Sequence, residues 1–388
     1  MLVRKIVDDI SLQLSKQQTS NHLDNGLYGI EERIHKIERL LGIGHTDARI
    51  IGICGMGGIG KTTLASAIFL KLYPHFEGRC FLENVREASA GHGLDHLRKK
   101  LLNELFNDRA ILSLDTPSVV SPFIGDRFSR KKVLIVLDDV DSLTNLEALI
   151  KGYEKVAPGS RIIVTTRDAQ VLKNVTNKIY EVEGLDYSES LDLFYLHAFK
   201  KKLPSADYER LSKRVADYAN GNPLALKVLG SFLHSRPIEE WESALKKLKM
   251  VPHNDIQKVL RISYEGLDDM ERELFLDIAC FFIYTSSVVL TGFLVESVVD
   301  EDSSPKLGIS ILNERSLVNI VDNCCRYHKK ISMHNLLQQM GFAMVFEEHK
   351  EPGNRSRLCI PKDISHVLET ASVSENTFYL LIFFSFNK

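Results

Sequence analysis

The chain has no surplus of charge of either sign: 49 Lys and Arg stand against 51 Asp and Glu in 388 residues. No global field therefore steers it onto nucleic acid or an anionic membrane, and its partners must be met at local sites. It also has no CxxC pair. Cys54, Cys80, Cys280, Cys324, Cys325 and Cys359 follow no framework spacing and several lie in apolar runs, which argues against a disulfide scaffold and for a reducing, cytoplasmic compartment. Long apolar runs are missing too. The longest near the end, Phe378 to Phe386, is well short of the ~20 residues a spanning helix needs. MLVRKIVDDISLQL carries early acids and alternates apolar with polar residues, so it reads as an amphipathic helix, not a secretory leader. Repeats of the LxxLxLxxN kind are absent, which excludes a leucine-rich solenoid within this chain. What is present is ordinary for a folded protein: 44 % apolar and 26 % charged residues, in a chain long enough for two to four cores.

Periodicity divides the chain. The opening helix leads through a polar linker, Lys16 to Asn25, into EERIHKIERLL, whose Ile30, Ile34, Ile37 and Leu41 share one face. A β-branched run, Arg49 to Cys54, then meets a glycine cluster and a helix from Lys61 with Leu64, Ile68 and Leu72 in one stripe. Further strands are predicted at Arg79 to Val85, Lys132 to Leu137 and Arg161 to Thr165, with a helix carrying Leu94, Leu97, Leu101 and Leu105 between the first two. Strands alternating with helices imply a doubly wound parallel α/β sheet. After Glu183 helical period dominates to Glu348, broken at Pro204, Asn222-Pro223, Pro237, Pro252 and Pro305.

Gly55-Met56-Gly57-Gly58-Ile59-Gly60-Lys61-Thr62 fits GxxxxGK[ST] between a predicted strand and a predicted helix. Such glycines let backbone N–H groups converge on phosphate oxygens, and the helix start adds positive dipole. Lys61 reaches the β and γ phosphates, and the Thr62 hydroxyl can ligate Mg²⁺. A triphosphate site also needs an acid at the end of a neighbouring strand. VLIVLDDVD supplies it: Asp138 is the metal-side candidate and Asp139 can polarise a water, while Asp141 serves to cap the next helix. Lys61 and Asp139 are thus the candidate catalytic pair. Arg167 closes another strand and can sense a γ-phosphate at the carboxyl edge of the sheet, although spacing alone fits a surface ion pair as well.

These residues, with FLENVRE (81 to 87), GSRIIVTTRD (159 to 168), GNPLAL (221 to 226), FLDIACFF (275 to 282) and ISMHNLLQQMG (331 to 341), resemble the NB-ARC class of nucleotide-switch ATPases in the form found in plant TIR-type leucine-rich-repeat immune receptors. The resemblance covers about residues 1 to 365. It implies an N-terminal helix and linker (1–25), a P-loop nucleotide-binding domain (26–184), a helical bundle (185–260), a winged-helix domain (261–365) and a divergent tail (366–388). It further implies that ADP or ATP with Mg²⁺ contacts Gly29, Ile30, Gly55, Gly57, Gly58, Ile59, Gly60, Lys61, Thr62, Thr63, Arg167, Pro223, Leu224 and His334. On residue patterns alone, Asn222-Pro223 reads as a helix break and His334 as a partly buried helix residue.

Two positions depart from the family pattern. Asn335 stands where the family's MHD motif has Asp, an expected weakening of the contacts that hold an ADP-bound closed state, since a neutral acceptor bonds less strongly than an ionised one. Tyr28 stands where a Val precedes Gly29 and Ile30. No TIR domain precedes the opening helix and no leucine-rich repeats follow Pro361, so the resemblance implies a truncated chain.

The function expected is an ADP/ATP signalling switch in plant innate immunity, with immune receptors or a second copy as protein partners and at most slow ATP hydrolysis. A non-hydrolysing adaptor of full-length receptors and a metabolic P-loop ATPase or kinase are the alternatives. Nucleic acid is not an expected partner, because residues 261 to 350 carry no basic stripe, and neither is a membrane, because no apolar run is long enough to span one.

Overall fold

Runs rich in Ile and Val make the strands, as a parallel sheet covered on both faces requires. The computed structural model describes residues 27–106, 128–150, 156–200, 204–248, 252–282, 305–322, 329–358 and 361–370. The expected N-terminal helix, most of the C-terminal tail, Cys324, Cys325 and Cys359 lie outside them. The chain divides into two compact units, Met1–Leu193 and Phe194–Lys388.

In the first unit α1 (Ile30–Leu41) precedes β1 (Arg49–Cys54), and α2 (Lys61–Leu72) follows the glycine loop. Next come β2 (Gly78–Leu82), α3 (Val85–His92), α4 (Leu94–Phe106), β3 (Val133–Leu137), α5 (Leu143–Ile150), β4 (Arg161–Thr166), α6 (Ala169–Lys173) and β5 (Ile179–Glu181). All five strands pair in parallel in the order β2-β3-β4-β1-β5. Every residue of β3 and β4 is buried. α1 buries the predicted stripe Ile30, Ile34, Ile37 and Leu41, and packs on α2. Because β4 lies between β1 and β3, the ends of these three strands open side by side at one edge.

Two local expectations shift. The second strand ends at Leu82, not Val85: Asn84 takes a left-handed φ of 49° and starts α3, and the Val85 N–H donates to Asp138 O at 2.8 Å. β5, three residues long, had too little pattern to read; its pairing with Gly52, Ile53 and Cys54 creates it.

The second unit is helical. α7 (Tyr187–Phe199) runs across the division between the units, followed by α8 (Ala206–Ala219), α9 (Pro223–Leu233), α10 (Ile238–Leu248), α11 (Asn254–Glu265) and α12 (Asp269–Asp277). Trp241 is fully buried, stacked on Phe199 at 5.6 Å and edge-on to Phe194 at 5.7 Å. Beyond lie α13 (Pro305–Glu314), the antiparallel pair β6 (Asn319–Asp322) and β7 (Lys329–Ser332), α14 (Asn335–Glu348) and α15 (Pro361–Thr370). The prolines punctuate as expected. Pro223 opens α9, where Asn222 caps it by accepting the Ala225 N–H, and Pro305 opens α13. The helical period read through to Glu348 is interrupted by the β6–β7 pair, whose four-residue strands are too short to announce themselves.

Candidate functional site

The glycine loop has the backbone that only glycine adopts freely. Gly58 and Gly60 hold φ of 78° and 101°, and Gly55 holds 143°; a Cβ on Gly55 would also sit 3.3 Å from Val182 O. Lys61, the first residue of α2, is 7 % exposed. Its ammonium turns back into the loop, donating to Gly55 O at 2.7 Å and Met56 O at 3.0 Å. Burial foremost, then the nearby Arg167 charge, lowers its pKa to about 7, against the pull of Asp139 and Asp138.

Asp138, 1 % exposed, directly follows β3. Its Oδ1 accepts the Thr62 hydroxyl at 2.8 Å and the Thr165 hydroxyl at 2.6 Å. The Thr165 oxygen in turn accepts the Asp139 N–H at 2.9 Å. This ties the ends of β3 and β4 to the start of α2. Asp139 has a left-handed φ of 53°, and its two carboxylate oxygens go to different arginines. Arg167 Nε donates to Oδ1 and Arg86 Nε to Oδ2, each at 3.1 Å. Burial pushes the Asp139 carboxyl up, but Arg167 and Arg86 outweigh it and the net shift is downward. The ion pair considered for Arg167 is therefore present, and its partner is the candidate catalytic acid. Asp141 does not cap α5: it accepts from the Asn145 side chain, while the Ser142 hydroxyl accepts the Asn145 N–H.

Gly29 and Ile30 begin α1. Gly29 has φ 65°, and Arg33 donates to its carbonyl at 2.6 Å, to Gly184 O at 2.9 Å and to Glu189. Since the Val182 N–H donates to Cys54 O, the segment 182–184 links the glycine loop to the start of α1. Ile59 is buried, whereas Thr62 and Thr63 are exposed at the head of α2.

Within the second unit, His334 caps α14 rather than lying inside it: Nδ1 accepts the Leu336 N–H at 3.2 Å. Nε2 therefore carries the proton and donates to Asn220 O at 2.9 Å. Burial lowers the His334 pKa, with the Asn220 bond opposing, so the neutral ring is favoured. His334 is thus joined to the turn Asn220 to Pro223. The Asn335 amide donates to Tyr218 O at 2.7 Å and Asp217 O at 3.3 Å, at the end of α8. Its Oδ1 is buried without a hydrogen-bond partner.

A model of the NB-ARC domain matches residues 30–204, and a model of the winged-helix domain of Roq1-like disease resistance proteins matches residues 268–349. The chain carries an NB-ARC domain and a Roq1-like winged-helix domain. It is 40 % identical over 366 residues to disease resistance protein RPV1 of Vitis rotundifolia, covering 93 % of this chain and 26 % of that protein. It is 39 % identical over 373 residues to TMV resistance protein N of Nicotiana glutinosa, covering 94 % of this chain and 31 % of that protein. The chain thus spans about a quarter to a third of the length of these relatives.

The NB-ARC match implies nucleotide binding by this domain. The metal-side residues pass a chemical test. Thr62 and Asp138 are hard oxygen donors 2.8 Å apart. That suits Mg²⁺, which keeps waters and phosphate oxygens as most of its ligands. Two participants were not picked out by sequence. Thr165 lies within the VTTR run and Arg86 within FLENVRE, but neither has a recognisable spacing to the residue it holds. No helix among the described residues is long and apolar enough to cross a membrane.

Proposed function

We propose that this chain is a nucleotide-operated switch of plant disease-resistance signalling, at rest with ADP and active with ATP, acting in the cytoplasm with immune receptors or further copies of itself. The observation that carries the reading is the linked set Lys61, Thr62, Asp138, Asp139 and Arg167 at one edge of the NB-ARC sheet, with Thr62 and Asp138 already bonded. When bound, Mg²⁺ would neutralise phosphate charge between Thr62 and Asp138.

The protein's own groups do the rest. Lys61 exchanges two loop carbonyls for phosphate oxygens. Arg167 has two rival anions to choose from, the Asp139 carboxylate and a terminal phosphate, and so distinguishes ATP from ADP. Asp139, relieved of Arg167, holds the attacking water. The nucleotide moves the conformational equilibrium only by its differential affinity for the two states. Pro223, Leu224 and His334 are kept in the proposal as nucleotide contacts, and the three-subdomain division as the mechanical frame. The matching relatives are resistance proteins, which favours this reading over a metabolic kinase.

The test is to denature purified protein and identify the nucleotide released, then to follow ATP turnover. About one ADP per chain and slow turnover support the switch. A well-folded preparation that binds neither ADP nor ATP overturns it.

A further inference from the structure

Thr165, buried in β4 at 1 % exposure, touches Asp138, Asp139 and Val140 in succession. Its hydroxyl donates to Asp138 Oδ1 at 2.6 Å, its hydroxyl oxygen accepts the Asp139 N–H at 2.9 Å, and its carbonyl accepts the Val140 N–H at 2.9 Å. A hydroxyl has one proton to give, and the Asp139 N–H arriving on a lone pair leaves that proton for Asp138. A β-branched side chain is stiff at χ1, so the strand that carries Thr165 sets the direction of this bond. The main chain of Asp138 is fixed as well: its N–H donates to Leu82 O at 2.9 Å and its carbonyl accepts the Val85 N–H at 2.8 Å. What remains to be set is the rotation of the carboxylate.

Two hydroxyls set it, and both go to the same oxygen. Thr62 donates to Oδ1 at 2.8 Å from the first turn of α2, beside the Thr165 bond. Oδ2 accepts no hydrogen bond among the described residues. With its proton spent on Oδ1, Thr62 keeps its oxygen lone pairs for another partner. The two anchors differ in firmness, since Thr62 is exposed and Thr165 is buried. Asp138 is thereby divided: Oδ1 is fastened to the protein, and Oδ2 is left beside the Thr62 oxygen as a hard acceptor.

Resting on the switch reading, we infer that Thr165 is the positioning residue of the metal side: it anchors Oδ1 of Asp138 so that Oδ2 and the Thr62 oxygen are offered together to Mg²⁺ and its water shell. Thr165 acts through Asp138, its own hydroxyl being occupied on both sides. Without that hydroxyl the carboxylate is held by an exposed threonine alone and can turn. Mg²⁺ demands near-ideal octahedral geometry, so a turning acceptor weakens its hold.

The test measures binding of a non-hydrolysable ATP analogue to the nucleotide-stripped full chain, in excess Mg²⁺ and in EDTA, for the parent, Thr165→Val and Thr165→Ser. The ratio of the two affinities isolates the metal, because a general loosening of the fold weakens both. Thr165→Val should bind in EDTA as the parent does, and should lose roughly tenfold of the gain that Mg²⁺ confers, the size of one hydrogen bond to a charged group. Thr165→Ser, which keeps the hydroxyl, should retain most of that gain. With Mn²⁺ in place of Mg²⁺, electron paramagnetic resonance of the ion bound with the analogue should show weaker binding in Thr165→Val and not in Thr165→Ser.

An undiminished Mg²⁺ gain in Thr165→Val overturns the inference, as does an equal loss in Thr165→Ser. So does an equal fall in affinity with and without the metal, or a parent that binds the analogue equally well in both. If Thr165→Val does not fold, Thr165→Cys, whose thiol is a weak donor, is read by the same ratio. A parent that binds nucleotide in neither condition would instead remove the switch reading itself.

Discussion

Nucleotide binding should take up a proton through Lys61. The ammonium sits 7 % exposed among carbonyls, with its pKa brought down to about 7 by burial first and by Arg167 second. A phosphate tail in contact restores the preference for the charged form. At about pH 8.5 a group of this pKa is nearly all neutral in the free protein, so binding should absorb close to one proton. At about pH 6 the uptake should be roughly a tenth of that. Above pH ~7 the affinity should then fall by up to about tenfold per unit. The nucleotide's own phosphates are fully ionised well above their pKa of ~6 and add nothing to the uptake at about pH 8.5.

The assay is calorimetric titration of ADP into nucleotide-stripped protein, in two buffers of very different ionisation enthalpy. The apparent enthalpies should differ by nearly the full buffer term. Equal enthalpies in the two buffers, with binding intact, would refute the claim that Lys61 rests largely deprotonated.

Other outcomes follow from single contacts. Lys61→Ala should abolish nucleotide binding, and normal ADP retention by that variant would count against the site. Thr165→Val removes the donor to Asp138 and the acceptor for the Asp139 N–H, and should cost roughly 1–3 kcal/mol in urea denaturation. Trp241→Ala removes a fully buried ring and should cost about 3–5 kcal/mol by the same measurement. The carboxylate that Asn335→Asp introduces would face the Tyr218 and Asp217 carbonyls with no proton to donate. It should cost roughly 1–3 kcal/mol at neutral pH, and less on acidification as the carboxyl regains a proton. Comparing the melting of variant and parent at both pH values checks the sign, and the ADP/ATP ratio bound by the variant tests whether this position biases the nucleotide state.

Much of the site was legible because its residues are held by local conformation. Gly55, Gly58 and Gly60 announce a left-handed loop wherever they occur in this spacing, and Lys61 and Thr62 are carried at its end by the helix they begin. The stripe Ile30, Ile34, Ile37 and Leu41 likewise declares a one-faced helix before any partner is known. Short elements escaped for the opposite reason: β5 and the β6–β7 pair exist through pairing, and three or four residues carry too little alternation to show it. Asn335 illustrates a third case, in which residue type was clear but its role was not. Read as an acceptor, it uses its amide as a donor to the end of α8.

By itself, then, the sequence determined the left-handed glycine loop, the parallel α/β alternation and the acids that follow β3, since each is a property of neighbouring residues and their preferred backbone angles. Tertiary structure alone decided which side chains meet there. Placing β4 between β1 and β3 sets Thr165 on Asp138 and Arg167 on Asp139, and pairing β2 beside β3 brings Arg86 to the same carboxylate from more than fifty positions away. Strand order is settled by how the whole sheet buries its apolar faces, and that is a sum over distant segments which no single stretch of sequence contains.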